Sequence, residues 1–243
     1  MPVASEDRTL ANTTVKLPTL APWVHTVFLL TILVLWAAYG VLQPNWTAIP
    51  LVLRYISSIN MQFLVVGSTI AGLYHRRRFI RSVLGYWSLG GLGRDFGIGI
   101  LVYICGRRIV LPVIGFAIRF TPLHSMYRRE VVQGMMPQST SQIVLWIVVA
   151  ITAGFCEEFV FRGYLQQQLA SWFRSVPISV GVTALIFGCI HFYQGTGAVV
   201  QIACLGVLYG IVAARRGNLR SAMVAHALQD VSVALFYYLK HSR

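Results

Sequence analysis

The sequence predicts an all-α fold, a polytopic bundle of transmembrane helices with about seven or eight spans. Of its 243 residues, 56% are hydrophobic and only 11% are charged, whereas soluble domains carry roughly 25% charged residues. The mean hydropathy is +0.67. The apolar residues also form runs close to the roughly 20 residues that a helix needs to cross a bilayer. We therefore expect a multi-pass protein of the cell membrane, with the lipid bilayer as its surroundings.

Seven apolar runs with short connections define the predicted helices, and no separate soluble domain or internal repeat fits between them. The runs lie near residues 23–42, 51–74, 96–119, 141–165, 176–192, 197–214 and 221–239. Arg107 and Arg108 interrupt the third run, which leaves open whether it is one span, two shorter pieces or a re-entrant segment. Residues 1–22 are polar and of mixed charge, and we interpret them as an unstructured cytoplasmic tail ahead of a single membrane domain at 23–243.

The positive charge indicates an orientation in the membrane. The net charge is +13, and arginines collect where apolar runs stop, as in HRRRFIR at 75–81 and at Arg215, Arg216 and Arg220. Such clusters are typical of cytoplasmic anchors, and we expect no nucleic-acid partner. The 43–50 connection has no Lys or Arg, so 75–95 and the N-terminus are predicted to be cytoplasmic. Arg128 and Arg129 then fall on the opposite side, against this trend.

Two adjacent acids and an arginine lie inside the fourth run, in the stretch CEEFVFR. Glu158 and Arg162 are four residues apart, so they share a helix face and can form an ion pair. Glu157 points about 140° away from Arg162 around the helix. A charge at membrane depth costs about 2.5 to 3.5 kcal/mol. The spacing therefore predicts that Glu158 supports Arg162, whereas Glu157 is free for another task.

Two further segments place polar groups inside apolar sequence. FGCIH puts Phe187 and His191 one turn apart, and HALQD does the same for His226 and Asp230. Each of these groups can be a local structural residue. Their concentration in the last hundred residues, together with Glu157, instead indicates one polar site shared by three helices, because buried ionisable groups need partners.

These residue types allow several kinds of chemistry. Glu157 and His191 could activate a water molecule for peptide hydrolysis while His226 stabilises the oxyanion. Alternatively, Glu157, His191 and His226 could bind a catalytic zinc ion, or the groups could form an ion pathway. A thiol nucleophile, Cys156 or Cys189, is a further possibility. All four cysteines, Cys105, Cys156, Cys189 and Cys204, lie in apolar segments without CxxC spacing, so we expect buried thiols and no disulfide framework.

The three segments also fit the motifs of a known family. EEFVFR fits EExxxR, FGCIH fits FxxxH and HALQD fits HxxxB, where B is Asn or Asp. In this order the motifs resemble the CAAX-processing and bacteriocin-processing (Abi) family of membrane endopeptidases, which includes the type II CAAX prenyl endopeptidases. The resemblance covers a protease-like core at about residues 141–240.

The resemblance implies an intramembrane endopeptidase, of glutamic type or as a zinc-dependent version, with a cavity open to the cytoplasm and a peptide or protein substrate, including a membrane-anchored one. Glu157 and His191 then match the catalytic pair that activates water. His226 and Asp230 match the oxyanion hole, and Glu158 and Arg162 match the supporting positions. A bacteriocin immunity or membrane scaffold protein that acts by binding is the alternative.

One position departs from the eukaryotic prenyl proteases, whose last motif ends in Asn. Here it is Asp230. An ionised carboxylate cannot donate a hydrogen bond to an oxyanion. We therefore expect Asp230 to orient His226 and to favour its imidazolium form, which leaves the donation to the imidazole.

Overall fold

Helices form nearly all of the regular secondary structure in the computed structural model, which describes residues 18–42, 48–85 and 89–241. These ranges contain no β-strand, which confirms the predicted all-α class. In chain order the helices are α1 (Trp23–Leu42), α2 (Leu51–His75), α3 (Arg81–Leu84), α4 (Leu92–Arg119), α5 (Arg129–Gly134), α6 (Thr140–Phe173), α7 (Val176–Cys189), α8 (Thr196–Arg216) and α9 (Arg220–His241).

Six of the described helices are long and apolar enough to cross a membrane: α1, α2, α4, α6, α8 and α9. The protein is therefore a multi-pass membrane protein. The seventh predicted run, at 176–192, gives the shorter apolar helix α7 of 14 residues. At 1.5 Å per residue α7 is about 21 Å long, which is less than the roughly 30 Å of a bilayer core.

The third apolar run is one continuous helix, which answers the question left open by its two arginines. Helix α4 extends over 28 residues. Arg107 and Arg108 lie in a five-residue π-helical segment, Gly106–Val110, between two α-helical stretches. The interruption in hydropathy is therefore a local change of helical winding and not a break in the helix.

Helix α6 carries the centre of the hydrophobic core. Its middle is a second π-helical segment, Phe159–Leu165, in which all seven residues are buried. Phe159, Phe161, Tyr164 and Leu165 belong to a buried cluster with side chains of α1, α2 and α7. One side of α6 is exposed, at residues such as Ile151 and Phe155, whereas its polar residues Glu158, Arg162 and Gln168 are buried in protein.

Glycines allow the neighbouring helices to approach α6 and α7 closely. A Cβ atom at Gly154 of α6 would lie 2.8 Å from the carbonyl oxygen of Met223 in α9. A Cβ atom at Gly188 of α7 would lie 2.6 Å from the carbonyl oxygen of Val199 in α8. Small residues are the usual means by which membrane helices pack backbone to backbone. These contacts bring α9, which carries His226, directly against the acidic part of α6.

A buried aspartate joins the ends of three helices. The side chain of Asp95, in the first turn of α4, is fully buried and accepts hydrogen bonds from Arg216 and Arg220. The distance from Arg220 Nε to Asp95 Oδ2 is 2.6 Å. The sequence interpretation of these two arginines as simple membrane anchors was therefore incomplete, because they also hold α4 to the start of α9.

The last residues of the predicted N-terminal tail pack against the bundle. Leu20 and Ala21 are buried, and Gln168 of α6 accepts hydrogen bonds from the backbone N–H of both. The Gln168 amide also donates to the carbonyl of Ala21 at 2.8 Å. The expectation of an unstructured tail is wrong for these two residues, and its remaining part, 1–17, lies outside the described residues.

Candidate active site

Glu158 and Arg162 form a buried ion pair on α6. Arg162 Nη1 donates to Glu158 Oε1 at 2.8 Å, and both side chains are almost completely buried. The second guanidinium nitrogen, Nη2, donates to the carbonyl of Gly206 at 3.3 Å. The guanidinium carbon lies 4.3 Å from the centre of the Phe187 ring, which is a cation–π geometry. The arginine is thus fixed by three helices, and it neutralises the deeper of the two acids.

His226 is held by the same carboxylate. Its Nδ1 donates to Glu158 Oε1 at 2.8 Å, so the other nitrogen, Nε2, points away from Glu158. Nε2 lies 3.8 Å from Glu157 Oε2 and 3.6 Å from Asp230 Oδ2. The closest orienting partner of His226 is therefore Glu158, whereas the spacing of the HALQD motif predicted only Asp230. Residues 68 positions apart give no spacing signal by which this contact could have been found.

The ring of His191 is fixed by a backbone carbonyl. Its Nδ1 lies 2.7 Å from the carbonyl oxygen of Phe187, and a carbonyl can only accept, so Nδ1 carries a proton. In the neutral ring Nε2 is then a free acceptor. The buried Phe187 ring packs edge-on against both imidazoles, at 4.9 Å from His191 and 5.8 Å from His226. Phe187 thus sets the spacing between the two histidines.

One cavity brings together the four residues that were predicted to be catalytic. Glu157, His191, His226 and Asp230 all line a space of about 370 Å³, which we call the site cavity. The side chain of Glu157 is 23% exposed and that of Asp230 is 36% exposed. Glu158 and Arg162 are buried behind this surface, so the two adjacent acids differ in accessibility as their helical positions predicted.

A second, smaller cavity reaches Glu157 and His191 from the side of α1 and α2. It has a volume of about 100 Å³ and apolar walls that include Leu33 and Val65. The pair is thus accessible from both cavities, and the walls of both are largely apolar.

Two tyrosines of the site were not singled out from the sequence. Tyr209 of α8 is buried and stacks on the imidazole of His226, with ring centres 5.7 Å apart. Tyr193 follows His191 and lines both cavities. Tyr193 could have been suspected from its place beside the FGCIH motif. Tyr209 could not, because a single tyrosine in an apolar run is ordinary core sequence.

The residues predicted as zinc ligands are not arranged as a ligand set. Among the residues that the structure describes, no three His, Cys, Asp or Glu side chains are arranged to hold a metal ion. The predicted set of Glu157, His191 and His226 is therefore not a preformed centre, and Nδ1 of His226 is already engaged by Glu158. All four cysteines are free thiols, and Cys156, beside Glu157, is buried. The expectation of buried thiols is wrong for Cys189, which is exposed, because the end of α7 lies at the surface.

The comparison with protein families gives the decisive observation. Residues 139–232 match the model of the Rce1-like type II CAAX prenyl endopeptidase family. This confirms the resemblance that the three motifs predicted. The matched segment is less than half of the chain, but it contains all six predicted site residues, from Glu157 to Asp230. No curated protein and no solved structure matches this chain.

The family match and the apolar helices together support a CAAX-protease-like membrane endopeptidase. The match leaves out α1 to α5 and the last part of α9. They contribute walls to both cavities, including Ser58 and Gln62 of α2. The part of the chain without a family match therefore shapes the space around the matched residues.

Proposed function

We propose that the protein is a membrane-embedded endopeptidase in which Glu157 and His191 activate a water molecule that attacks a peptide bond. The observation that carries the proposal is the convergence on one cavity of Glu157 from α6, His191 from the turn just after α7, and His226 from α9. Glu157 Oε2 is a buried atom without a hydrogen-bond partner among the described residues. A carboxylate with a free oxygen beside a fixed imidazole is suited to act as a general base.

The proposed reaction has two steps and no covalent intermediate with the enzyme. Glu157 takes a proton from water while Nε2 of His191 accepts its second hydrogen bond, and the water oxygen bonds to the carbonyl carbon. His226 donates from Nε2 to the resulting oxyanion. Glu157 then returns the proton to the leaving nitrogen, the C–N bond breaks, and a carboxylic acid and an amine leave.

The buried residues have a positioning role in this proposal. Glu158 fixes the ring of His226 through Nδ1, so that Nε2 carries the proton needed for the oxyanion only when the ring is cationic. Arg162 offsets the charge of Glu158. Asp230, near Nε2, favours that cationic form by its negative charge, in agreement with the role expected from its place in the HALQD motif.

The test is the loss of proteolysis on substitution of Glu157. Membranes from cells that express wild type, Glu157→Gln or Glu130→Gln are compared by mass spectrometry of protein N- and C-termini. Glu130 is an exposed acid outside the site cavity, so Glu130→Gln is a matched control. We expect new protein termini in membranes that contain wild type or the Glu130→Gln control. Turnover in Glu157→Gln should be about 10²- to 10⁴-fold lower, because this is the usual contribution of a general base.

Three outcomes would contradict this proposal. Unchanged turnover in Glu157→Gln would contradict a general base at this position, and activity that a chelator abolishes and zinc restores would indicate a metal-dependent protease. A protective or scaffold phenotype that survives both Glu157→Ala and His191→Ala would identify binding, and not proteolysis, as the activity.

A further inference from the structure

Arg107 lies at a place where a positive charge is costly. It belongs to the π-helical segment Gly106–Val110 in the interior of the long apolar helix α4. A cation near the centre of a span costs about 2.5 to 3.5 kcal/mol on insertion scales. Its neighbour Arg108 is exposed, whereas Arg107 is partly buried. The two arginines therefore differ in their surroundings, and only Arg107 faces the inside of the protein.

Arg107 lines the site cavity together with Glu157, His191 and Asp230, whereas Arg108 does not. Within the described residues Arg107 forms no hydrogen bond or ion pair, and it therefore does not neutralise either acid of the site directly. Helical π segments occur frequently at functional sites. This segment is held against α8, because a Cβ atom on Gly106 would lie 3.0 Å from Leu205, which lines the same cavity.

Other polar atoms of the site cavity also lack partners in the part of the chain that the structure describes. They include the side-chain carbonyl oxygens of Gln62 and Gln229 and the hydroxyl of Tyr127. Gln229 is only 8% exposed. Amide oxygens accept hydrogen bonds from backbone N–H groups, and a buried acceptor without a partner costs about 1 to 3 kcal/mol. The cavity thus offers acceptors for a peptide backbone together with the guanidinium of Arg107.

We propose that Arg107 selects the substrate by binding a carboxylate of the peptide that enters the site cavity. This inference rests on the proposed function and names the class of peptide that the site takes. A guanidinium presents a planar pair of N–H donors that matches a carboxylate. The carboxylate belongs either to a free C-terminus or to an acidic side chain, and the two sources share this chemistry.

The experiment measures peptide binding by the full-length protein, with the Glu157→Gln variant as background so that no peptide is consumed. The probe is a library of synthetic ten-residue peptides whose randomised positions exclude Asp and Glu. It is prepared in three forms: a free C-terminal carboxylate, a C-terminal amide, and an amide with one internal glutamate. Bound peptides are identified and quantified by mass spectrometry. Arg107→Gln is compared with Arg107→Lys and with the matched control Arg108→Gln.

We expect carboxylate-bearing peptides to be enriched, and Arg107→Gln to lower their affinity about 10- to 100-fold, the effect of losing a hydrogen bond to a charged group. Peptides without a carboxylate and the Arg108→Gln control should be unchanged. Arg107→Lys should retain part of the preference, which also shows that the site is folded. Preference for the first form identifies the C-terminus, and preference for the third identifies a side chain.

An equal loss for all three peptide forms, or no loss in Arg107→Gln, would overturn the inference. If the protein with Arg107 intact enriches anionic lipid and not peptide, the inference is also overturned. The outcomes separate this inference from the proposed function. If the Arg107→Gln enzyme cleaves peptides and the wild type shows no preference for a carboxylate, only the inference about Arg107 is refuted. If binding depends on a carboxylate but the wild-type enzyme cleaves no peptide, only the proposed function is refuted.

Discussion

A single carboxylate organises the candidate site. Glu158 accepts hydrogen bonds from Arg162 and from His226 through the same oxygen, Oε1, at 2.8 Å each. Its neighbour Glu157 accepts neither of these hydrogen bonds and faces the site cavity. The adjacent acids thus have opposite situations, one fully buried and paired, the other partly exposed. Their difference follows from their positions around the helix and not from their chemistry.

Substitution of Glu158 should mainly affect stability. Glu158→Gln removes the negative charge and leaves Arg162 buried without its partner, which costs about 3 to 5 kcal/mol in comparable cases. We expect a clearly lower thermal unfolding temperature for the purified protein in detergent. Asp230→Asn is the matched acid-to-amide control, since Asp230 is partly exposed, and it should fold normally and keep most of its activity.

Two results would contradict these roles. Normal stability of Glu158→Gln would mean that the charge of Glu158 does not hold Arg162. If the charge does hold Arg162, the double variant Glu158→Gln/Arg162→Met should recover the stability that Glu158→Gln loses. A complete loss of activity in Asp230→Asn, with normal expression, would show that Asp230 does more than orient and charge His226.

The local geometry of the site could be predicted from the sequence, but its long-range contacts could not. Helical phase gave the Glu158–Arg162 pair and the separate direction of Glu157. The hydrogen bond from His226 to Glu158 joins α9 to α6, and no periodicity within either helix encodes it. The same holds for Tyr209, which is placed against His226 by the packing of α8.

At the scale of helices, the two π-helical segments are the features that the sequence hid. A π turn adds a residue to the winding and so changes which side chains face inward after it. In α6 the segment Phe159–Leu165 follows Glu158 directly, and in α4 the segment Gly106–Val110 contains Arg107. Most boundaries of the long helices were predictable because apolar length sets them, but α6 continues to Phe173, beyond the predicted end at residue 165. The winding depends on packing against other helices.

Close packing of α9 on α6 should be sensitive to one methyl group. In Gly154→Ala the new Cβ would lie 2.8 Å from the carbonyl of Met223 and 2.9 Å from the N–H of Ala227, and backbone atoms cannot rotate away. We expect a loss of about 1 to 3 kcal/mol, typical of overpacking, and lower activity because His226 is displaced. Thermal unfolding in detergent measures the first effect.

Gly181→Ala in α7 is the control for this change, because a Cβ atom there would have nothing within 4 Å. It should be neutral or slightly stabilising, since alanine is the better helix former by about 1 kcal/mol. Equal behaviour of the two variants would show that the contact between α6 and α9 is looser than the structure has it.

At the scale of the whole molecule, most arginines lie toward one end of the helix bundle and the site cavity opens toward the other. The end that holds the 76–80 connection, Arg174 and Arg215 is rich in arginine. The opposite end holds the 120–139 and 190–195 connections, and the site cavity reaches it through Tyr127, Met135 and Gln194. The charge rule predicts that the arginine-rich end is cytoplasmic, whereas the family resemblance implies a cavity open to the cytoplasm. The two expectations give opposite orientations.

Labelling of single cysteines in intact cells decides between them. Ser82 of α3 lies at the arginine-rich end and Ser125 at the opposite end, and both are exposed, so Ser82→Cys and Ser125→Cys are matched probes in a chain whose four native cysteines are replaced by alanine. The charge count predicts that a membrane-impermeant maleimide labels Ser125→Cys in intact cells and Ser82→Cys only after permeabilisation, because moving several arginines across the membrane is unfavourable. The reverse pattern would contradict the charge count and would open the site cavity to the cytoplasm. Since Arg107, Glu157 and His191 line that cavity, the labelling also identifies the compartment from which a peptide carboxylate could reach them.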